Sequence, residues 1–247
     1  MCGIVGFVGS GDAVPVLLGG LRRLEYRGYD SAGLACVSNG ALELRRSVGK
    51  LDQLVQLVAE KPLKTSTGVG HTRWATHGRP NEANAHPHTS ASGRLAIVHN
   101  GIIENYLALR SELQAEGISF KSDTDSEVLA HLIEAAQSKG VSLADAVRIA
   151  LKRVEGSYGL VVVSADSPDT LIAARLGSPL VLGIGQGRNF VASDVPALLE
   201  RHGVTLTRAL RIRLGSLALP PTLPRGHWRE LEPAEISALL GSPGSDR

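Results

Sequence analysis

Three consecutive helical segments, with short strands on both sides of them, limit what this chain can fold into more than any other feature. Residues Glu104 to Glu116, Glu127 to Ala136 and Leu143 to Val154 carry apolar side chains at helical spacing, with Leu107, Leu109 and Leu113, then Val128, Leu132 and Ile133, as expected core positions. Before them, strands are expected at Ile4 to Gly9, Leu34 to Ser38, Ala41 to Arg46, Gly68 to Thr72 and Arg94 to His99, with helices at Val14 to Leu24 and Leu51 to Ala59. After them, strands return at Gly159 to Ser164, Thr170 to Ala174, Leu180 to Gly185 and Asn189 to Ala192. Strands, helices, then strands again favour α+β layers over a doubly wound parallel sheet.

Local signals sharpen this order. Asn39-Gly40 supplies the positive φ values of a tight hairpin. Ser167-Pro168-Asp169 and Gly185-Gln186-Gly187 read as turns, and the second lacks the G-x-G-x-x-G spacing of a phosphate loop. Thr124-Asp125-Ser126-Glu127 matches a capping box at the start of the second of the three helices.

A chain of 247 residues with 43% apolar content can bury a large core, and a formal charge of +2 gives no electrostatic footprint for nucleic acid. The body is mildly acidic, whereas Arg201 to Arg229 holds six arginines and no acid. No basic residue precedes Arg22 and no apolar run reaches membrane-spanning length, so neither a signal peptide nor a membrane anchor is expected. Two cysteines cannot form a disulfide framework and fit a reducing, cytoplasmic setting; Cys36, inside the run Gly33 to Val37, is expected to be a buried structural thiol.

Cys2 is different. Removal of Met1 would leave a thiol and a free α-amine on one residue, and an α-amine with an ordinary pKa near ~8 can take the proton of a thiol near ~8.5 at neutral pH. From the first six residues alone, a small apolar residue opening a strand is the better account of Cys2. The loop Arg73 to Ser92, long and rich in His, Asn, Pro and Thr, is of the kind that carries function. Its histidines, with His71 and His99, raise a rival of another class: a metallohydrolase built on His71, His77, His86, His88 and His99. No H-E-x-x-H helix accompanies them, and loop histidines are more often polar surface or hydrogen-bonding residues. A catalytically silent binding module is a third alternative.

Seven segments occur together and in order: MCGIVG from Met1, RRLEYRGYDSAG from Arg22, HTRWATHG from His71, NAHPH from Asn84, VHNGIIEN from Val98, SDTDSEV from Ser122 and RLGSPLV from Arg175. Over roughly Cys2 to Leu199 the chain resembles the glutaminase domains of the glutamine-fructose-6-phosphate aminotransferases, which are N-terminal-nucleophile (class II) glutamine amidotransferases. The resemblance implies an α+β fold, a four-layer αββα sandwich of the N-terminal-nucleophile hydrolase type. It makes Cys2 the nucleophile, its α-amine the base, and Asn100 with Gly101 the oxyanion donors. It assigns Arg73 to the α-carboxylate of glutamine, Asp125 to the ammonium, and Trp74, Thr76, His77 and His86 to loops closing over the substrate. Arg27 and Asp30 are expected to support the Cys2 strand, with a structural ion pair as the plainer account. Asn100-Gly101 also reads as a turn ending a strand.

The same resemblance implies L-glutamine as substrate, no cofactor and no metal, and a partner sugar-isomerase half holding a fructose 6-phosphate site, with no nucleic-acid or membrane partner. A homodimer is one assembly it allows. Residues 2–200 form the expected amidotransferase domain, and 201–247 a divergent tail with no room for isomerase domains. The ammonia acceptor is expected to be fructose 6-phosphate, giving glucosamine 6-phosphate; a glutaminase subunit for another acceptor is the alternative. Past Leu199, Thr205 to Leu219 carries arginines where family strands would alternate, so poor packing and an exposed sheet edge are expected from about residue 203 onward, with a short helix at Pro233 to Leu240.

Overall fold

The computed structural model describes residues 2–75 and 77–198, with the short strands 213–214 and 217–218. Two units result, Met1–Val204 and Thr205–Arg247. In the second, Arg213–Leu214 pairs antiparallel with Leu217–Ala218. The remaining expectations for the tail, including the helix at Pro233 to Leu240, lie outside the described residues.

The first unit contains β1 (Gly3–Gly9), α1 (Ala13–Arg23), β2 (Ser31–Ser38), β3 (Ala41–Val48), α2 (Leu51–Glu60), β4 (Thr67–Arg73), β5 (His88–Thr89) and β6 (Leu95–Ile103). Helices α3 (Tyr106–Ala115), α4 (Glu127–Gln137) and α5 (Leu143–Leu151) follow, then β7 (Gly156–Ser164), β8 (Ser167–Leu176), β9 (Val181–Gly185) and β10 (Arg188–Ala192). The strands form a six-stranded sheet in the order β3-β2-β4-β1-β10-β9 and a four-stranded sheet in the order β5-β6-β7-β8.

Strand alternation builds the layers, because successive side chains point to opposite faces. Val5, Phe7, Leu34 and Cys36 face α1 and α2, where they meet Leu17, Leu21 and Leu54. Their neighbours Ile4, Ala35 and Val37, with Val69, face the other sheet and pack on Ala96, Val98, Val161 and Val163. The far side of the four-stranded sheet, through Leu95, Ile97, Leu160 and Val162, packs on Leu113, Leu129, Ile133 and Val147 of the three later helices. The result is a four-layer αββα sandwich, as the resemblance implied. On β4, Gly68 and Gly70 let α1 sit close: a Cβ at either would lie 3.0 Å from Leu17 or Leu21. Cys36 is fully buried, and burial pushes its thiol up to about 12, consistent with an inert structural role.

Several expectations change. The Asn39-Gly40 hairpin forms with φ of 51° and 74°, but Ser167-Pro168-Asp169 is not a turn: β8 already begins at Ser167, on the sheet edge where proline costs no ladder bond. Leu107 is 64% exposed, since it lies across α3 from the buried pair Leu109 and Leu113. The capping box does not close. Thr124 Oγ1 bonds His88 Nε2, and Glu127 accepts instead from the backbone N–H groups of Lys121 and Ser122. Nor does β6 stop at Asn100-Gly101; its ladder with β7 continues to Ile103 opposite Gly156. Gly101 makes this continuation workable: its φ is 128°, and a Cβ there would come within 2.0 Å of the Ser157 carbonyl oxygen.

Candidate active site

The first strand delivers Cys2 to the end of the six-stranded sheet, beside β4. Its sulfur accepts a hydrogen bond from the Trp74 N–H at 3.2 Å and lies 3.6 Å from the Trp74 carbonyl. Two donors hold its own carbonyl: Asn100 Nδ2 at 3.1 Å and Arg27 Nη1 at 3.2 Å. Burial raises the thiol above its ordinary pKa, with the Trp74 amide and the Arg73 charge pulling the other way. A thiol in this setting is protonated at neutral pH and needs a base close by.

A cavity of about 300 Å³ opens at this sulfur. Cys2, Arg73, Trp74, His77, His86, Asn100, Gly101 and Asp125 all line it, so the structure brings together every expected site residue except Thr76, which lies outside the described residues. Ile102, Ser157 and Ser178 complete parts of its wall; Ile102 and Ser178 lie in the segments VHNGIIEN and RLGSPLV but had been given no role, and Ser157 lies outside all seven segments. A second cavity of about 320 Å³, bounded by Leu171, Leu182, Ile184 and Phe190, has no titratable side chain on its wall. Of these two cavities, the first is the one that carries groups for acid-base or nucleophilic chemistry.

Arg73 ends β4 and is 4% exposed. Its Nη2 donates to the carbonyls of His77 and Gly78, the latter at 2.7 Å, which ties the loop after β4 around the guanidinium. Its Nη1 lies 3.7 Å from Asp30 and has no hydrogen-bond partner among the described residues. Across the cavity, Asp125 is 3% exposed and is held by the Ile103 N–H at 2.8 Å and the Ser126 hydroxyl at 3.3 Å. One buried cation and one buried carboxylate thus face one small space. Trp74 is 55% exposed, and its ring rests on Gly28, where a Cβ would lie 2.7 Å away.

Arg27 and Asp30 do not pair with each other. Arg27 forms a 2.6 Å ion pair with Asp194 and also contacts Ser193, whose hydroxyl accepts the Ile4 N–H at 3.0 Å; the strand bearing Cys2 is thereby fixed to the end of β10. Asp30 accepts from the Ala75 N–H, while its own N–H donates to the Arg73 carbonyl at 2.7 Å, so it holds the substrate-side loop. Both residues support the site, each through a different partner.

The histidines are not surface groups. His71, His86, His88 and His99 are all buried, with His71 and His86 stacked at 4.2 Å and His86 edge-on to His88 at 4.4 Å. They do not converge on a point: among the described residues no group of His, Cys, Asp and Glu could hold a metal ion. Their nitrogens serve hydrogen bonds instead, such as the His99 N–H to His86 Nδ1 at 3.3 Å and His99 Nδ1 with Ser126 Oγ at 2.8 Å.

Comparison with known proteins agrees with this arrangement. The glutamine amidotransferase domain family matches residues 58–220. The chain belongs to that family. It is 52% identical over 199 residues to the glutamine–fructose-6-phosphate aminotransferase (isomerizing) of Aquifex aeolicus, covering 81% of this chain and 33% of that protein. The Thermus thermophilus protein of the same name is 56% identical over 199 residues, covering 81% and 32%. Among solved structures, the glutamine phosphoribosylpyrophosphate amidotransferase of B. subtilis superposes with a TM-score of 0.69 at 28% identity, over 80% of this chain and 43% of that one. The amidotransferase domain described here thus spans about a third of the length of its curated relatives. No helix among the described residues is long and apolar enough to cross a membrane.

Proposed function

We propose that this chain hydrolyses L-glutamine to glutamate and ammonia, with Cys2 as nucleophile after removal of Met1. The observation that carries this is the buried Arg73 guanidinium, whose Nη1 lacks a hydrogen-bond partner among the described residues in a cavity shared with the Cys2 sulfur and Asp125. A planar fork suits the α-carboxylate of an amino acid and a fixed carboxylate suits its ammonium, which leaves the side-chain amide to face the sulfur. Trp74, Thr76, His77 and His86 complete the substrate-binding set.

The chemistry follows from the residues. The Cys2 α-amine takes the thiol proton, the thiolate attacks the carboxamide carbon, and the Asn100 side-chain amide with the Gly101 N–H receives the developing oxyanion. Collapse breaks the C–N bond; the ammonium of Cys2 returns the proton to the leaving nitrogen, and ammonia departs from a γ-glutamyl thioester. Water, deprotonated by the same amine, then adds to the thioester and releases glutamate and the free thiol.

Residues 2–200 are the proposed glutaminase domain and 201–247 a divergent tail. In the complete enzyme, whose name the relatives carry, the ammonia would aminate fructose 6-phosphate in a sugar-isomerase domain or subunit, in the cytoplasm. Glutamate release by the purified chain tests the activity. Arg73→Met is expected to raise the KM for glutamine by on the order of 10²-fold, as loss of a charge-assisted bond pair does, with a smaller change in kcat. An unchanged KM would remove Arg73 from the substrate site.

A further inference from the structure

We propose that His71 is a positioning residue for the oxyanion donor: it ties the two sheets together at the site and turns the Asn100 amide so that its NH2 group faces the nucleophile. The role rests on the glutaminase function proposed above and concerns a residue outside the expected site set.

The nucleophile and the oxyanion donor come from different sheets. Cys2 precedes β1 in the six-stranded sheet, whereas Asn100 lies on β6 of the four-stranded one. Their separation is set by whatever spans the two layers. His71, opposite Ile4 on β4, is two residues beyond Val69 and shares its face, which points between the sheets. From there its Nε2 reaches the His99 carbonyl oxygen at 3.1 Å and Asn100 Oδ1 at 3.0 Å.

The hydrogen-bond roles follow from the carbonyl partner. A backbone carbonyl only accepts, so His71 Nε2 must carry the proton. The atom of Asn100 beside it is then the oxygen, which leaves Nδ2 to donate to the Cys2 carbonyl at 3.1 Å. His71 Nδ1 is buried and has no hydrogen-bond partner among the described residues, so the tautomer protonated there would lose the His99 carbonyl, gain no acceptor, and keep Asn100 only by turning its amide over and taking Nδ2 away from the Cys2 carbonyl. His86, stacked on the ring at 4.2 Å, fixes its plane. Gly33, opposite His71 on β2, admits the His86 segment, for a Cβ there would sit 2.3 Å from the His86 carbonyl oxygen. Without the Nε2 donor, the Asn100 amide can rotate and present its oxygen where the oxyanion develops.

The test is a double-mutant cycle on the whole chain, read in three ways. Asn100→Ala alone should lower kcat by about 10²- to 10³-fold, as loss of one oxyanion donor does. His71→Leu should lower kcat by about 10²-fold with KM within about 3-fold, and His71→Leu in the Asn100→Ala background should cost less than about 3-fold more. Alkylation of Cys2 by a haloacetamide, a displacement that develops no oxyanion, should keep its rate within about 3-fold in His71→Leu. Multiplicative losses in the double variant, or an equal fall in alkylation, would overturn the role.

A polar pair covers the case in which His71→Leu does not fold. His71→Gln places an amide nitrogen near the Nε2 position and should restore kcat to within about 10-fold, whereas His71→Asn, which reaches only the Nδ1 position, should not. Equal activity of the two would also overturn it. The unsubstituted chain is the control: if it releases no glutamate the proposed function fails, whereas an active parent with additive losses defeats only the role of His71.

Discussion

Replacing Cys2 with alanine is expected to abolish glutamate release, by on the order of 10⁴-fold or more, while leaving the thermal midpoint nearly unchanged. The asymmetry follows from where Cys2 sits. Its side chain belongs to none of the three apolar clusters, and the hydrogen bonds of its sulfur among the described residues are to the backbone of Trp74. Its carbonyl, which Asn100 and Arg27 hold, survives the substitution. Retention of Met1 should silence the chain as thoroughly by another route, because the nitrogen becomes an amide and the thiol, raised by burial, loses its base. Intact-mass measurement of the Met1-free fraction alongside glutamate release checks both. A preparation that fully retains Met1 yet turns over glutamine would show that the α-amine is not the base.

Most of the fold was legible because its signals are local. Asn39-Gly40 sets two positive φ values within one turn, and Leu109, Leu113, Val128, Leu132 and Ile133 mark core faces by spacing alone. What the sequence hid depends on partners far along the chain. The continuation of β6 past Gly101 needs the β7 ladder opposite it, and Leu107 looks as apolar as Leu109 until the direction of the core is known. At the site, the matched segments rather than residue type alone pointed to Cys2, Arg73 and Asn100-Gly101, which line one cavity. Supporting residues were visible only in part: Arg27 and Asp30 were expected behind Cys2, but not the partners through which they act. Arg27 finds its carboxylate at Asp194 rather than at nearby Asp30, and His71 gains its task only when β4 is laid against β6. The hydrogen-bonding reading of the loop histidines holds but their burial was not legible, because it depends on distant partners: Asn84 Nδ2 donates to Asp123, His86 Nδ1 accepts from the His99 N–H, and His88 Nε2 bonds the Thr124 hydroxyl.

That buried histidine layer should make the protein acid-labile well above the range in which carboxylates titrate. Burial pushes His71 and His88 down to about 3, holds His86 well below its ordinary value, and lowers His99 against the opposing pull of Asp125. Unfolded, each ring titrates near its ordinary value of ~6.5. Between that value and about 3 the unfolded chain therefore binds more protons than the native one, so stability is fully present above pH ~6.5 and declines as pH falls. Each ring withdraws on the order of 1 kcal/mol per pH unit in that window, a large slope against a typical total of about 5–15 kcal/mol. Glu127 acts in the same direction at lower pH: burial opposes its ionisation, but bonds from His131, Lys121 and Ser122 carry it down to about 2, and their contribution disappears below the ordinary carboxylate range. Urea midpoints measured from pH 7.5 to 5 should fall steeply below pH 6.5, with an uptake of at least about two protons on unfolding. A flat profile over that range would mean that these rings are not neutral and buried, and would remove the tautomer argument for His71 with them.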